Sequence, residues 1–254
     1  ICSGGWPFAC GLEAEAALSQ AFDYVDAVIK KDISRVDGVN RNSTTARLLL
    51  RSYARNQGSQ ATIGTIVADM ATNDENEISV KTAGGYMEAL RKIFVIEDSE
   101  AWNPNLRSKT AVRTAKTRYF IDPSIGTAVL GLGPNDLLKD LNTMGLFFET
   151  LCVRDLRVFA DAIDGEVYHF RDKSGLECDA VVHLRNGKYG LVEIKLGGDR
   201  LINEGAENLK KLAEKINTEK MNEPSFMMVL VGTGDYAYRR TDGVYVVPIG
   251  CLKD

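Results

Sequence analysis

Two histidines, His169 and His183, are all that 254 residues contain. Chemistry built on a histidine base or a histidine-rich metal cluster therefore has little material. Cysteine is almost as thin: Cys2, Cys10, Cys152, Cys178 and Cys251 are scattered, odd in number and without a C-x-x-C pair. That pattern argues against a disulfide framework or a zinc site and sets the expectation of a reducing, cytoplasmic setting. No apolar run approaches the length of a membrane span, so no membrane partner is expected. The G-x-x-x-x-G-K-S/T phosphate loop is missing as well, which excludes ATP hydrolysis by these residues alone. The chain opens on Ile1 rather than Met and without a signal peptide, and we expect it to be a fragment of a longer protein.

What is present is an ordinary globular composition, 44% hydrophobic and 26% charged, at a length that suits one large domain or two modest ones. The net charge of −4 is unevenly spread. Residues 1–34 carry 2 basic and 5 acidic side chains, residues 35–120 carry 13 and 9, and residues 121–254 carry 16 and 21. A positive middle between negative flanks is a hint about partners, not about fold.

The pattern reads as a helical segment over 1–34, a three-helix segment over 35–120 and an α/β segment over 121–254. After the "GGWPF" turn, Glu13 to Ile33 has helical character. "STTARLLLRSYARNQG" predicts a helix with Ser43 or Thr44 as N-cap and Gly58 as its stop. "TIGTIVADMATN" predicts a short helix. Val80, Ala83, Met87, Leu90 and Phe94 stand at helical spacing before a β-like Phe94-Val95-Ile96. Short helices followed by strands describe a winged helix-turn-helix, whose last helix, with Lys81 facing out, would read the major groove. Residues 105–118, "NLRSKTAVRTAKTR", hold Arg107, Lys109, Arg113, Lys116 and Arg118 and no acid. They read equally as a solvated loop between wing strands or as a basic arm that neutralises phosphates.

Beyond "YFIDPS", residues 136–163 form a long helical stretch, apolar on most sides. Strand "EVYHFRDK" follows, where His169 and Arg171 share a face and are candidate phosphate contacts, although a sheet-edge histidine beside an Arg171–Asp172 pair is the plainer reading. Next come "LECDAVVHL" and "YGLVEIKL", joined by Arg-Asn-Gly-Lys, a hairpin signal. An amphipathic helix over 202–220 leads to "SFMMVLVG", so the Glu-Ile-Lys strand and this strand should run parallel through a helical crossover. "GTGDYAYRR" reads as an ordinary loop with two exposed arginines before "VYVVPIG".

Asp179, Glu193 and Lys195 interrupt the apolar hairpin, and strand alternation puts Glu193 and Lys195 on one face. A carboxylate on one strand and Glu-x-Lys on the next is the arrangement a divalent-metal nuclease needs. The acids hold Mg²⁺ through oxygen, and the lysine orients water or stabilises the phosphorane oxyanion. Glu149, a carboxylate on the apolar stripe of the preceding helix, can complete the set. The pattern alone leaves a salt-bridged trio equally open.

Asp179 with Glu193-Ile194-Lys195 and Glu149 resembles the PD-(D/E)XK restriction-endonuclease-like superfamily, with Cys178 where that pattern often has proline. "GGWP", "LRSYARNQG", "YFIDPS", "FE…VRDLRV", "HFRDKSGLECDAVV", "VEIKLGG" and "VYVVPIG" together resemble the C-terminal part of prokaryotic AAA-type ATPases carrying DUF4143. The resemblance covers nearly the whole chain. It implies a winged helix-turn-helix followed by a restriction-endonuclease-like α/β sandwich, with residues 1–34 a remnant of an ATPase lid. It also implies that ATP belongs only to a module before residue 1, through which the protein would oligomerise, and that Mg²⁺ is the candidate cofactor here. The leading functional expectation is nucleic-acid binding with Mg²⁺-dependent phosphodiester hydrolysis. The rivals are a silent DNA- or protein-binding module that regulates the ATPase, and a purely structural oligomerisation element.

Overall fold

The structure, a computed structural model, describes residues 1–70, 78–104, 115–216 and 221–252. It is a mixed α/β chain that divides into two compact units, Ile1–Asp98 with Thr117–Leu151, and Ser99–Lys116 with Cys152–Asp254. These units do not follow the segment boundaries read from the sequence. The helical segment 1–34 and residues from 35–98 share one core, in which Ala21, Val25 and Ile29 pack with Leu49, Tyr53, Met87 and Leu90.

The first unit contains α1 (Ala14–Ala27), a π-helical turn (Val28–Asp32), α2 (Ile33–Arg35), α3 (Ser43–Arg55), α4 (Ile63–Met70), α5 (Val80–Lys92), α6 (Pro123–Leu130) and α7 (Pro134–Lys139). The N-cap of α3 is Asn42, whose side chain accepts from Thr45 N, rather than Ser43 or Thr44. Asn42 is as good an acceptor as serine and stands one residue before the helical backbone begins. Ser79 caps α5 in the same way. The long helical stretch is split at Asp140, whose carboxylate accepts from Thr143 N and Oγ1 and so starts a new helix, α8 (Leu141–Asp161). The division between units falls within α8, after Leu151.

The strand expected at Phe94-Val95-Ile96 reduces to a single antiparallel bridge between Ile96 and Phe120. Phe94 adopts φ +55° and is exposed, which turns the chain out of α5 instead of extending it. Just beyond, the buried side chain of Asp98 gathers three partners. Arg91 Nη2 and Arg118 Nη1 each donate to its Oδ2 at 2.6 Å, and Tyr53 Oη donates to Oδ1 at 2.6 Å. Burial, then the Asp98 charge, pushes the Tyr53 phenol well above its usual range.

The second unit is built on a six-stranded sheet in the order β1-β2-β3-β4-β6-β5. Its strands are β1 (Gly165–Arg171), β2 (Glu177–Leu184), β3 (Tyr189–Lys195), β4 (Phe226–Val231), β5 (Tyr238–Arg239) and β6 (Tyr245–Pro248). The β2–β3 hairpin turns on Asn186-Gly187, with Gly187 at φ +83° and Lys188 N donating to Asn186 Oδ1. After β3 the chain crosses through α9 (Asp199–Lys215) to β4, which lies parallel to β3 in register Glu193↔Val229. One face of the sheet packs on α9, through Val181, Leu191, Val229 and Val231 against Ala206, Leu209 and Leu212. The segment read as a plain loop before the last strand contains β5, which pairs with β6 and forms a sheet edge.

Gly190 on β3 has no room for a side chain, because a Cβ there would stand 2.1 Å from Cζ of Phe226 on the neighbouring strand. Gly190→Ala is expected to cost about 1–3 kcal/mol by overpacking. Chemical denaturation should show a lower midpoint, and Phe226→Leu in the same chain should recover part of it.

Candidate functional site

Asp179 owes its position to an irregularity in β2. In the β1–β2 ladder Tyr168 faces Val181 while Phe170 faces Cys178, so β2 carries one more residue than β1 over this span. This is a β-bulge, and it breaks alternation: Cys178 and Val181 both enter the core on the α9 side. The regular β2–β3 pairing stops at Ala180↔Val192. Asp179 Oδ2 instead accepts from the backbone N–H of Ile194 at 2.7 Å.

Glu193 and Lys195 leave β3 beside it, as alternation predicts. Lys195 Nζ donates to Glu193 Oε2 at 2.7 Å and to Asp179 Oδ2 at 3.3 Å. One ammonium thus bridges two carboxylates. Glu193 is only 3% exposed, whereas the side chains of Asp179 and Lys195 are 21% and 26% exposed. The trio therefore has a dry end and a solvent end. Two glycines follow after Leu196, Gly197 at φ +135° and Gly198 at φ +86°, and turn the chain from β3 into α9.

The sequence pattern missed Asn208. Its Nδ2 donates to Glu193 Oε1 at 2.7 Å and to the Glu177 carbonyl at 2.6 Å. It reaches them because Gly205, one turn earlier, lets α9 lie close to the sheet: a Cβ there would meet Glu193 Cβ at 3.4 Å. A polar residue beside the stripe of Ala206, Leu209 and Leu212 was the available signal.

Burial, and then the neighbouring Asp179 charge, pushes the Glu193 carboxyl up to about 7, against the pull of Lys195 and Asn208. For Lys195, burial works against the charged form, but Asp179 and Glu193 together hold it above its ordinary range. Burial, with Glu193 and Asp179 next, also raises the Cys178 thiol far above its usual value, so it is an inert core group.

Glu149 belongs to the first unit, where Tyr119 Oη donates to its Oε1 at 2.5 Å. Among the described residues no group of three or more His, Cys, Asp and Glu side chains is arranged to hold a metal ion. Asp179 and Glu193 are the two carboxylates that share Lys195.

Of the basic arm, Arg107, Lys109 and Arg113 lie outside the described residues. Lys116 forms an ion pair with Glu100. Arg118 is not a surface residue: its guanidinium is buried on Asp98 and donates from Nε to the Ala61 carbonyl at 3.0 Å. Arginine beside a buried carboxylate folds inward, and composition of the run could not separate it from its neighbours. His169 is likewise buried, with Nδ1 3.1 Å from the Ser99 carbonyl, and burial lowers its pKa. It is a core histidine of the second unit, not a phosphate contact. Arg171 pairs with Glu177 at 2.8 Å, and Lys81 is exposed on α5.

No helix among the described residues is long and apolar enough to cross a membrane. No curated protein and no solved structure matches the chain. Two family models do. "Domain of unknown function (DUF8612)" matches residues 1–136, and "Domain of unknown function (DUF4143)" matches residues 144–252, which include the whole sheet and the carboxylate–lysine trio. The chain belongs to the DUF8612 family and carries a DUF4143 domain behind that region.

Proposed function

We propose that the DUF4143 domain acts on nucleic acid through a site of the PD-(D/E)XK type, in which Asp179 and Glu193 hold Mg²⁺ or Mn²⁺ and Lys195 faces the phosphate. The observation that supports this reading most is the open end of the trio. Asp179 Oδ1 accepts no hydrogen bond among the described residues, beside a carboxylate that shares the same lysine. The donors fit a hard cation: they are carboxylate oxygens, with one negative charge in excess of the lysine, and Mg²⁺ commonly takes only one or two protein carboxylates. Such a cation would supply water activation and charge neutralisation at a phosphodiester. The protein's own part is to orient Glu193 through Asn208, to fix Asp179 through the Ile194 N–H, and to present the Lys195 ammonium towards solvent.

The winged helix-turn-helix reading of α3–α5 and the Ile96–Phe120 bridge belongs to the same proposal, with Lys81 and Arg107, Lys109 and Arg113 of the basic arm contacting phosphates and an AAA-type ATPase module ahead of residue 1 driving the reaction. The motifs quoted above support it. A second reading also has a specific observation behind it. Lys195 already bridges both acids and Asn208 takes the remaining Glu193 oxygen, so the network is nearly complete without a metal. In that reading the domain is a silent DNA- or protein-binding module that regulates the ATPase.

Metal titration separates the two. Mg²⁺ or Mn²⁺ at a hundredfold excess over Kd should stabilise the wild type by about 2.7 kcal/mol, seen as a higher Tm and as binding heat. Asp179→Ala should abolish both. Lys195→Ala should keep the metal response and lose cleavage of a labelled DNA. A wild type whose Tm ignores both ions would leave the silent reading standing.

A further inference from the structure

The β5–β6 hairpin at the sheet edge carries a cluster that the carboxylate site does not use. Tyr236, Tyr238 and Tyr245 are 71%, 43% and 40% exposed, and the Tyr236 and Tyr238 rings are 6.2 Å apart. The two adjacent arginines have different fates. Arg240 is tied down: its Nη1 donates to Asn203 on α9 at 2.7 Å, and its Nε donates to Asp242 at 3.2 Å. Arg239 has no carboxylate partner among the described residues. It is nevertheless held in place, with its guanidinium 5.5 Å from the Tyr245 ring centroid and Nε donating to the Gly243 carbonyl at 3.3 Å. Gly243 stands at φ +89°, closing the hairpin turn under it.

We propose that Tyr236, Tyr238, Arg239 and Tyr245 form a docking surface for single-stranded nucleic acid, with bases stacking on exposed tyrosine rings and Arg239 meeting a phosphate. A positioned guanidinium without a counter-charge calls for an anion, and it loses little freedom on binding one. The surrounding residues decide which anion. The segment Gly232 to Arg240 is Gly-Thr-Gly-Asp-Tyr-Ala-Tyr-Arg-Arg, so its exposed rings sit among glycine and small polar residues. There is no leucine, isoleucine or valine to make the apolar centre that a protein interface needs. Flat rings in a polar setting beside an arginine without a carboxylate partner among the described residues suit unpaired bases and the backbone between them. Base pairs in a duplex would hide the faces the tyrosines need.

The test is fluorescence anisotropy of a labelled oligothymidylate about 16 nucleotides long, the upper end of ordinary single-strand site sizes, titrated with the full 254-residue chain in EDTA. Chelation takes the metal at the carboxylate pair out of the measurement, so variants of the hairpin that fail here leave the metal-site proposal untouched, and the reverse. Tyr236→Ala and Tyr238→Ala should each weaken binding roughly tenfold with melting unchanged. Arg239→Gln should lower the slope of log affinity against log salt by about 0.7, the single-strand value for one phosphate. Arg239→Lys should restore that slope, and it guards against a loss that comes only from unpacking Tyr245. The proposal is overturned if the wild type does not bind the oligonucleotide, or if the tyrosine variants bind as the wild type does. It is also overturned if a blunt duplex binds as tightly, or if a polyglutamate peptide of equal charge competes as well, which would make the partner an acidic protein.

Discussion

Asp98→Ala is expected to cost the first unit roughly 3–5 kcal/mol, the range for breaking a buried ion pair by deleting one partner. The loss is large because three donors converge on this carboxylate and two of them are guanidinium groups. Arg118 is the more exposed to the change in energy, since its side chain is buried and cannot turn to water. Differential scanning calorimetry should show the transition of this unit falling by roughly 10 °C. Tyr53→Phe should cost only about 1 kcal/mol, because Asp98 keeps both arginines. Pairing Asp98→Ala with Arg118→Met should recover much of the loss. A single Asp98→Ala that melts like the wild type would mean that the arginines find other partners and that the cluster does not hold the unit together.

Lys195→Met should be the most damaging change in the second unit, and its cost should depend on pH. Without the ammonium, Asp179 and Glu193 face one another with Glu193 almost fully buried, at a cost of roughly 3–5 kcal/mol at pH 8. Much of that cost should vanish at pH 5, where Glu193 takes up a proton. In the wild type the Glu193 carboxyl is raised from its ordinary 4.5 to about 7. A raised folded value means that the protonated form is favoured on folding. Glu193 therefore contributes stability that is fully present below about 4.5 and is lost as pH climbs through 7, on the order of 3 kcal/mol. Lys195, also raised, contributes throughout this window and loses its effect only above its ordinary 10.5. Urea titrations in EDTA from pH 4.5 to 8.5 should show stability falling in the wild type, falling more steeply in Lys195→Met and nearly flat in Glu193→Gln. Parallel curves for all three would remove Glu193 as the titrating group.

Much of the second unit was legible because period-two alternation and turn chemistry are local. Val, Ile and Leu flanking Asn186-Gly187 specify the hairpin, and the stripe of Ala206, Leu209 and Leu212 specifies the crossover helix that makes β3 and β4 parallel. The side on which Asp179 emerges was not legible, since the bulge appears only when β2 is set against Tyr168 and Phe170 of β1. Asn208 escaped notice for a related reason: its partners are 15 and 31 residues away. The basic arm shows a different limit. Composition counts charges, but whether a particular arginine meets a phosphate or a buried aspartate depends on a partner elsewhere, as Arg118 and Asp98 show. The unit boundaries were hidden because Ile29 and Leu49 belong to one core, and no change in local pattern announces a shared interior.

The bridge between Ala101 and His169 has a consequence for how the chain is made. Trp102 N–H donates to the His169 carbonyl, and His169 N–H to the Glu100 carbonyl, so residues 100–102 complete their pairing only against β1. A ribosome adding about 5–20 residues each second makes those three residues several seconds before it makes the strand that receives them. During that interval their N–H and C=O groups, and the Trp102 ring that ends up against Tyr189, have no native partner. Slow translation across residues 103–171 should lengthen this window and raise the share of nascent chains captured by chaperones, whereas synonymous changes downstream of β6 should leave it unaltered.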